Sequence, residues 1–192
     1  FVVECPSFLE LLKENAFDQF YHEHQSYFSM ISFRNLLERN GLKLFDIEKY
    51  NVHGGTYRFF ACRGDSSITI NYDNINKWEE KEKQFGVDSY EKLKERMSIM
   101  RQNMIDIKDT LKKLKSEGKS IVGYGATAKF TQVSNMCGLN SNLIDYVVDT
   151  TPDKQNKYIP KSNIKILPYR KTSLNDTDYC FLGAWNFKDE IF

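Results

Sequence analysis

The stretch SIVGYGATAKF, residues 120–130, decides the fold of the second half of the chain. It reads as an apolar strand that ends in two glycines, and residues 126–137 then read as a helix. Residues 143–148 form a second apolar run ending at Asp149, and residues 179–182 form a further one. Strand, helix and strand in this order predict a parallel α/β unit.

The glycines of this stretch have the G-x-G-x-x-A spacing of a dinucleotide-binding loop, with a strand before and a helix after. Glycines let the backbone approach a phosphate, and a helix N-terminus favours negative charge. The alternatives are a ligand such as NAD, a nucleotide sugar or another anion, and a tight turn that needs glycine only for its geometry. The candidate residues for binding a nucleotide diphosphate are Gly123, Tyr124, Gly125, Ala126 and Lys129, together with Asp149, where an acid could bond ribose hydroxyls.

The first 75 residues mix strands and helices. A short strand over residues 1–5 precedes a helix over residues 7–15, and Ser32 is expected to cap a helix over residues 33–40. Two strand-like runs, residues 42–50 and 56–63, flank a short turn with two glycines. This pattern predicts an antiparallel hairpin.

Residues 76–118 are charged and contain no proline. Apolar residues recur at spacings of three and four from Tyr90 to Leu114, which predicts one long amphipathic helix. Asp88 and Glu91 suggest a capping box, and Gly118 a stop. The predicted organisation is thus residues 1–75, a linking helix region at 76–118, and an α/β domain at 119–192.

Composition excludes several classes of function. The 192 residues carry a net charge of +1, so charge gives no reason to expect nucleic acid or an anionic membrane as a partner. No apolar run is long enough to span a bilayer. The four cysteines are scattered without a CxxC pair, which is typical of reduced thiols in a cytoplasmic protein.

The stretch FDQFYHEHQSYF, residues 17–28, contains two of the three histidines of the chain. His24 can act as a base near neutral pH, and Glu23 or a tyrosine such as Tyr21 can orient it. His22 and His24 can also ligate a metal, but no further ligand stands at a metal-site spacing, so no metal is assigned. The alternative is a polar surface loop with stacked aromatic rings.

Five motifs in one order resemble a known family: FDQFYHEHQSYFS, VHGGTYRFF, GYGATAKFTQVSN, DYVVDTTPDKQNKYIP and WNFKDEI. Together they resemble the S-adenosylmethionine-dependent sugar-nucleotide C-methyltransferases, over nearly the whole chain. The resemblance implies the end of a class I methyltransferase domain with an antiparallel hairpin, a long linking helix, and a Rossmann-like parallel α/β domain.

The resemblance also implies a reaction and roles for residues. Family members remove the proton next to the 4-keto group of a nucleotide-linked deoxysugar and methylate that carbon. His24 matches the proposed general base, and Tyr21 and Glu23 match residues of the same pocket. The substrate-binding candidates are His22, His53, Gly54, Gly55 and Arg58, and the loop from Gly123 to Lys129 matches the part that holds the nucleotide diphosphate.

Cofactors and partners follow from the same resemblance. We expect the chain to be a piece of a longer protein, with the S-adenosylmethionine site mostly in its missing N-terminal part and zinc in its missing N-terminal domain. No cofactor is expected in this fragment, which alone should be inactive. The expected partner is a small-molecule nucleotide sugar, with neither nucleic acid nor membrane, and the oligomeric state is open between monomer and homodimer.

Two other functions remain open at this level. The glycine loop and Asp149 also fit an NAD(P)-binding oxidoreductase. A noncatalytic module that binds a nucleotide sugar is also consistent, because related chains can keep a fold and lose an activity. Which sugar, nucleotide and carbon are used is not encoded in residue types.

Overall fold

A computed structural model of the chain describes residues 1–52, 54–170 and 174–191, without the side chain of Asn186. These residues form two compact units. Unit 1 comprises Phe1–Ala16 and the described residues of His24–Ile99. Unit 2 comprises Phe17–Glu23 and the described residues from Met100 onward. The division predicted from the sequence, at residues 75 and 118, stays a prediction.

Unit 1 is built on an antiparallel sheet of three strands in the order β1-β3-β2. Residues Leu42–Tyr50 (β2) and Thr56–Arg63 (β3) pair as the predicted hairpin, and Val2–Pro6 (β1) pairs with β3 on its other side. Unit 1 also contains the helices Phe8–Lys13 (α1), Met30–Arg39 (α2) and Tyr72–Phe85 (α3), and the first part of a longer helix described below.

One face of this sheet carries the core of unit 1. Phe59 of β3 is fully buried and stacks on Phe33 of α2, with ring centroids 4.1 Å apart. Tyr57, on the same face of β3, contacts Phe59 and Trp78 of α3 edge-on. Alternate residues of β3 therefore bind α2 and α3 to the sheet, as the two-residue period of a strand requires.

Unit 2 is built on a parallel sheet of four strands in the order β6-β5-β4-β7. The strands are Ile121–Tyr124 (β4), Tyr146–Asp149 (β5), Ile166–Pro168 (β6) and Tyr179–Leu182 (β7). The chain crosses from β4 to β5 through helix Ala128–Cys137 (α5), which ends at Gly138. A short helix, Lys188–Ile191 (α6), follows β7. The predicted parallel α/β unit is confirmed.

The long helix Tyr90–Ser116 (α4) belongs to both units, to unit 1 up to Ile99 and to unit 2 from Met100. The sequence predicts an apolar stripe along this helix. Met100 and Leu111 of the stripe are buried, as predicted, but Tyr90 is 73% exposed, so its prediction is wrong. The residues before it do not continue this helix. They form α3, which ends at Gly86 in the left-handed conformation.

Two predicted helix starts are wrong. Ser29, rather than Ser32, caps α2, because its hydroxyl accepts the amide of Ser32 while the Ser32 hydroxyl accepts the amide of Ser29. At α4, the hydroxyl of Ser89 accepts the amide of Lys92, a role that the sequence suggested for Asp88. In both cases several hydroxyls or carboxylates stand close together, and only the backbone geometry selects one.

The predicted strand at residues 143–148 begins later, at Tyr146, because Leu143 and Ile144 lie in the turn before β5. Strand β6 was not predicted, since it has only three residues in a lysine-rich segment. Among the described residues, no helix combines the length and apolar character needed to cross a membrane.

The opposite faces of β3 give a test of the core of unit 1. Replacing Phe59 by Ala removes a fully buried ring that stacks on Phe33, and should lower the free energy of unfolding by about 3–5 kcal/mol. Phe60, the next residue, is only partly buried and faces away. Phe60→Ala is the matched control and should cost clearly less in guanidinium unfolding followed by circular dichroism. Equal losses would contradict this assignment of the faces.

Candidate functional site

The glycine loop lies at the carboxyl end of β4, where the chain turns into α5. Gly125 has φ of +84°, a conformation that side chains rarely adopt, and its amide donates to the carbonyl of Val148 at 2.8 Å. Thr127 caps α5 by accepting the amide of Phe130 at 3.0 Å. The predicted strand–loop–helix context is confirmed, and the loop requires glycine at 125 for its own backbone geometry.

Asp149 fixes this loop from the end of the neighbouring strand β5. Its Oδ2 accepts the amide of Ala126 at 2.7 Å and its Oδ1 accepts the amide of Thr151 at 2.8 Å. The ammonium of Lys154 lies 3.6 Å from Oδ2. The Asp149 residue is only 8% exposed. Both carboxylate oxygens are thus engaged within unit 2, which makes Asp149 a support of the loop.

The charge state of Asp149 follows from these contacts. Burial by itself raises the pKa of the Asp149 carboxyl. The amide and hydroxyl of Thr151, the charge of Lys154 and the amide of Ala126 outweigh it, so the pKa lies below the ordinary 3.8. The carboxylate therefore stays ionised throughout the neutral range.

Two tyrosines lie at the same end of the sheet. Tyr124 ends β4, and Tyr169 directly follows β6. Their rings meet edge-on with centroids 5.3 Å apart. Burial, followed by the charges of nearby acidic groups including Tyr169 and Asp149, raises the pKa of the Tyr124 phenol. Tyr124 is therefore a neutral hydrogen-bond donor beside the loop.

Lys129, in the first turn of α5, makes a buried ion pair. Its ammonium lies 3.6 Å from the carboxylate of Asp18, and the two side chains are 12% and 7% exposed. The indole of Trp185 donates to the same carboxylate at 2.6 Å, and the ammonium lies 5.0 Å above that indole ring. This ion pair engages the ammonium of Lys129, which the sequence suggested as a countercharge to a phosphate. It also fixes residues 17–19 within unit 2.

Tyr21, His22 and Glu23 follow this anchor in unit 2. His22 and Glu23 are exposed, whereas Tyr21 is partly buried. Burial, and then the charges of Glu23 and Asp18, raise the pKa of the Tyr21 phenol. Tyr21 is thus a neutral donor at physiological pH.

His24 is the first residue of the second segment of unit 1. Its imidazole is partly buried and meets the ring of Tyr27 edge-on at 6.2 Å between centroids. Tyr27 in turn packs against Phe8 of α1, at 6.5 Å. His24 and Tyr21 therefore belong to different units, and the chain passes from one unit to the other between Glu23 and His24.

The turn of the hairpin contains the other predicted substrate-binding residues. Gly54 is exposed, and Gly55 is buried with φ of +117°, where a Cβ would lie 2.8 Å from Glu10. His53 lies outside the described residues. The carbonyl of Gly55 accepts the amide of Ser7 at 2.9 Å, which fixes the turn to the start of α1.

Arg58 lies on β3 between acidic residues of the two neighbouring strands. Its guanidinium donates to Glu4 of β1 and to the hydroxyl of Tyr50, and lies 3.5 Å from Glu48 of β2. A cavity of about 310 Å³ opens beside it. The cavity is lined by Glu4, Cys5, Pro6, Tyr50, Val52, Thr56 and Arg58. Arg58 is thus balanced by carboxylates within unit 1.

The sequence reasoning missed Asp18 and Lys154. Asp18 stands in the same motif as Tyr21, but only the structure shows that its carboxylate is buried against Lys129. Lys154 is one of several lysines in its segment, and only its position beside Asp149 distinguishes it. No group of three or more His, Cys, Asp or Glu side chains is placed to hold a metal ion in the part of the chain that the structure describes.

The Asp149 contacts give a pH-dependent prediction. Because the pKa is lower in the folded state, the carboxylate stabilises unit 2 above the ordinary value of 3.8, and this is lost as the pH falls through the folded value. Asp149→Asn should cost about 1.5–3 kcal/mol at neutral pH, typical of hydrogen bonds to a charged group. Urea unfolding of both proteins over a pH series should show the difference shrinking in acid. A difference that is constant with pH would contradict this account.

The pair of Asp18 and Lys129 gives a second prediction. Asp18→Ala leaves a buried ammonium without its counter-charge and should destabilise unit 2 by about 3–5 kcal/mol. Lys129→Met in the same protein removes that charge and should restore part of the loss. Denaturant unfolding of both single variants and the double variant measures the coupling. Asp153→Ala, which removes an exposed carboxylate of unit 2, is the control, and additive losses would contradict the pairing.

Comparison with known proteins places these features in a wider context. Residues 51–192 match the family described as the C-methyltransferase C-terminal domain. The chain is 33% identical over 191 residues to a protein of Streptomyces niveus named C-methyltransferase NovU. That match covers 100% of this chain and 45% of the relative, so the chain spans less than half of the relative's length.

Proposed function

Because this chain belongs to the C-methyltransferase family, we propose that it is part of an S-adenosylmethionine-dependent enzyme that methylates a carbon of a nucleotide-linked 4-keto deoxysugar. The observation that supports this most strongly is the match to a relative named as a C-methyltransferase, which covers the whole chain. The histidine segment, residues 17–28, therefore lies within the matched region.

His24 is the proposed general base. A ketone acidifies the C–H bond on the neighbouring carbon, and an imidazole can remove such a proton near neutral pH. The proton moves to the imidazole of His24, and the electron pair left on the sugar forms an enolate whose carbon is the nucleophile. The partly buried position of His24 against Tyr27 supports this role, because the ring is held by packing.

Tyr21 is proposed as a hydrogen-bond donor to the substrate. Its raised pKa keeps the phenol protonated, so it can donate to an oxygen on which negative charge develops. Glu23 is exposed and is proposed to orient the imidazole of His24.

The carboxyl ends of β4 and β5 are proposed to hold the nucleotide diphosphate. In open parallel sheets, ligands bind outside the carboxyl ends of the strands. Gly123, Tyr124, Gly125 and Ala126 form the loop there. Because the amides of Gly125 and Ala126 are bonded within unit 2, the donors proposed for the phosphates are the Tyr124 phenol and Lys154, whose side chain is 41% exposed. Both lysines pair with a carboxylate at 3.6 Å, but Lys129 is buried in its pair whereas Lys154 is more accessible, so we favour Lys154 as the countercharge to the phosphates.

The methyl donor fits the glycine loop poorly. S-adenosylmethionine supplies an electrophilic methyl group when bound, and its adenosine needs free backbone amides and an acid for the ribose. At the glycine loop the amide of Ala126 and the carboxylate of Asp149 are bonded to each other. We therefore propose that most of the cofactor site lies in parts of the parent protein outside this chain. The zinc that the family resemblance implies is proposed to lie there too. The engaged Asp149 also disfavours the alternative of an NAD-binding oxidoreductase.

The proposed base can be tested in the full-length parent protein. His24→Ala should reduce methyl transfer from labelled S-adenosylmethionine to a panel of 4-keto nucleotide sugars by about 10²–10⁴-fold, the usual contribution of a general base. The same variant should lose exchange of the C–H proton next to the ketone in D₂O without the cofactor. Binding of the nucleotide sugar, measured by calorimetry, should persist.

Gln25→Ala is the matched control, because it truncates an exposed side chain next to His24. It should keep both activities. Full methyl transfer by His24→Ala would exclude His24 as the base. Tight binding of nucleotide sugars by the parent protein with no methyl transfer to any of them would favour the noncatalytic module, and saturable binding of NAD would favour the oxidoreductase.

A further inference from the structure

A buried carboxylate on another helix, α3, caps the N-terminus of α2. Glu82 lies on α3 and has no exposed surface. Its Oε1 accepts the amide of Met30 at 2.7 Å, and its Oε2 accepts the amide of Ile31 at 3.0 Å. The first amides of a helix have no partner within that helix, and negative charge is favoured there. Glu82 therefore fixes the first turn of α2 to α3.

The groups with the largest effects on the pKa of this carboxyl are neutral. They are the amides of Met30 and Ile31 and the hydroxyls of Tyr57 and Ser29. Burial raises the pKa of the Glu82 carboxyl, and these donors only partly oppose it. Buried charged groups are often no better for stability than apolar side chains of the same volume, and some instead specify one arrangement of the chain. The contacts of Glu82 therefore indicate that it fixes the position of α2.

Tyr57 continues the contact from Glu82 towards the hairpin turn. It is fully buried on β3, and its hydroxyl donates to Glu82 at 3.2 Å. Ser7, which is itself 1% exposed, lies beside the same hydroxyl and opposes the rise in its pKa. The amide of Ser7 donates to the carbonyl of Gly55 at 2.9 Å. These contacts thus connect the start of α2 to the glycine turn through Tyr57 and Ser7.

The residue after Ser7 continues the contact towards His24. The amide of Phe8 donates to the carbonyl of Phe28 at 3.1 Å, and the Phe8 ring packs on Tyr27. Tyr27 is the ring that the imidazole of His24 meets edge-on. The segment from His24 to Phe28 is therefore held by α1 through Phe8 and by Glu82 at the start of α2.

We propose that Glu82 and Tyr57 are positioning residues, which fix the segment that carries His24 against the glycine turn of the hairpin. This inference rests on the proposed function, in which His24 is the base. Misplacing a catalytic group by about 1 Å can cost about 10²-fold in rate, so a rigid support of this kind has a direct effect on proton removal. Neither residue touches the reacting atoms.

Tyr57→Phe in the full-length parent protein tests the proposal most sharply. It keeps the buried ring and removes only the hydroxyl that donates to Glu82. We expect kcat for methyl transfer, and the rate of proton exchange in D₂O, to fall by about 10- to 100-fold, with KM for the nucleotide sugar near that of the wild type. Glu82→Gln, which keeps the side-chain volume, should act in the same direction.

A second measurement does not depend on activity. With ¹⁵N-labelled histidine, the imidazole signals of His24, assigned by their loss in His24→Ala, should shift in Tyr57→Phe. Leu37→Ala is the control for stability alone, because Leu37 is buried in the core on α2 and its side chain makes none of these hydrogen bonds. It should lower Tm and leave both kcat and the His24 signals unchanged.

Three results would overturn or separate the proposals. Tyr57→Phe with unchanged kcat and unchanged His24 signals overturns the positioning role. If Leu37→Ala and Tyr57→Phe both lower kcat in proportion to the drop in Tm, the positioning role is also overturned. Full activity of His24→Ala overturns the proposed base instead, while shifted His24 signals in Tyr57→Phe would still support the positioning role.

Discussion

Buried carboxylates that bond to backbone amides organise both units. In unit 1, Glu82 accepts the first amides of α2, and in unit 2, Asp149 accepts the amide of Ala126 where β4 turns into α5. Each carboxylate satisfies donors that secondary structure leaves without a partner. Each therefore fixes where a helix begins relative to a sheet. The segment from His24 to Phe28 leads into the first of these points within unit 1, and the glycine loop lies at the second within unit 2.

Much of the fold follows from local sequence patterns. The hairpin of β2 and β3 has the bounds that the sequence indicates, because two apolar runs flank a glycine turn. The parallel unit is also correct, because glycines separate β4 from α5. Strand β6 could not be predicted, since three residues carry too little periodicity. The start of α2 was missed because two serines, 29 and 32, bond each other and either fits a cap.

The candidate site was predictable in its residue types and less so in its contacts. The glycine loop and the histidine segment stand out as motifs, so their positions could be named from the sequence. What each polar group bonds to depends on residues that are distant along the chain. Asp18 meets Lys129 and Trp185, and Glu82 meets the start of α2, across separations that no local pattern encodes. The sequence thus indicates which groups carry charge, while tertiary packing decides which of them can meet a ligand.

Unit 2 is discontinuous along the chain, since Phe17–Glu23 completes it from far upstream. During synthesis this short piece leaves the ribosome long before the strands that it joins, so closing the unit requires a long-range contact, and such contacts slow folding. The same feature limits modularity. A shortened protein that starts at residue 100 would contain the whole parallel sheet, yet it would carry Lys129 and Trp185 without Asp18. The C-terminal sheet therefore does not form a complete unit by itself. A chimera that takes unit 2 from a relative would have to replace Phe17–Glu23 together with the residues from Met100 onward.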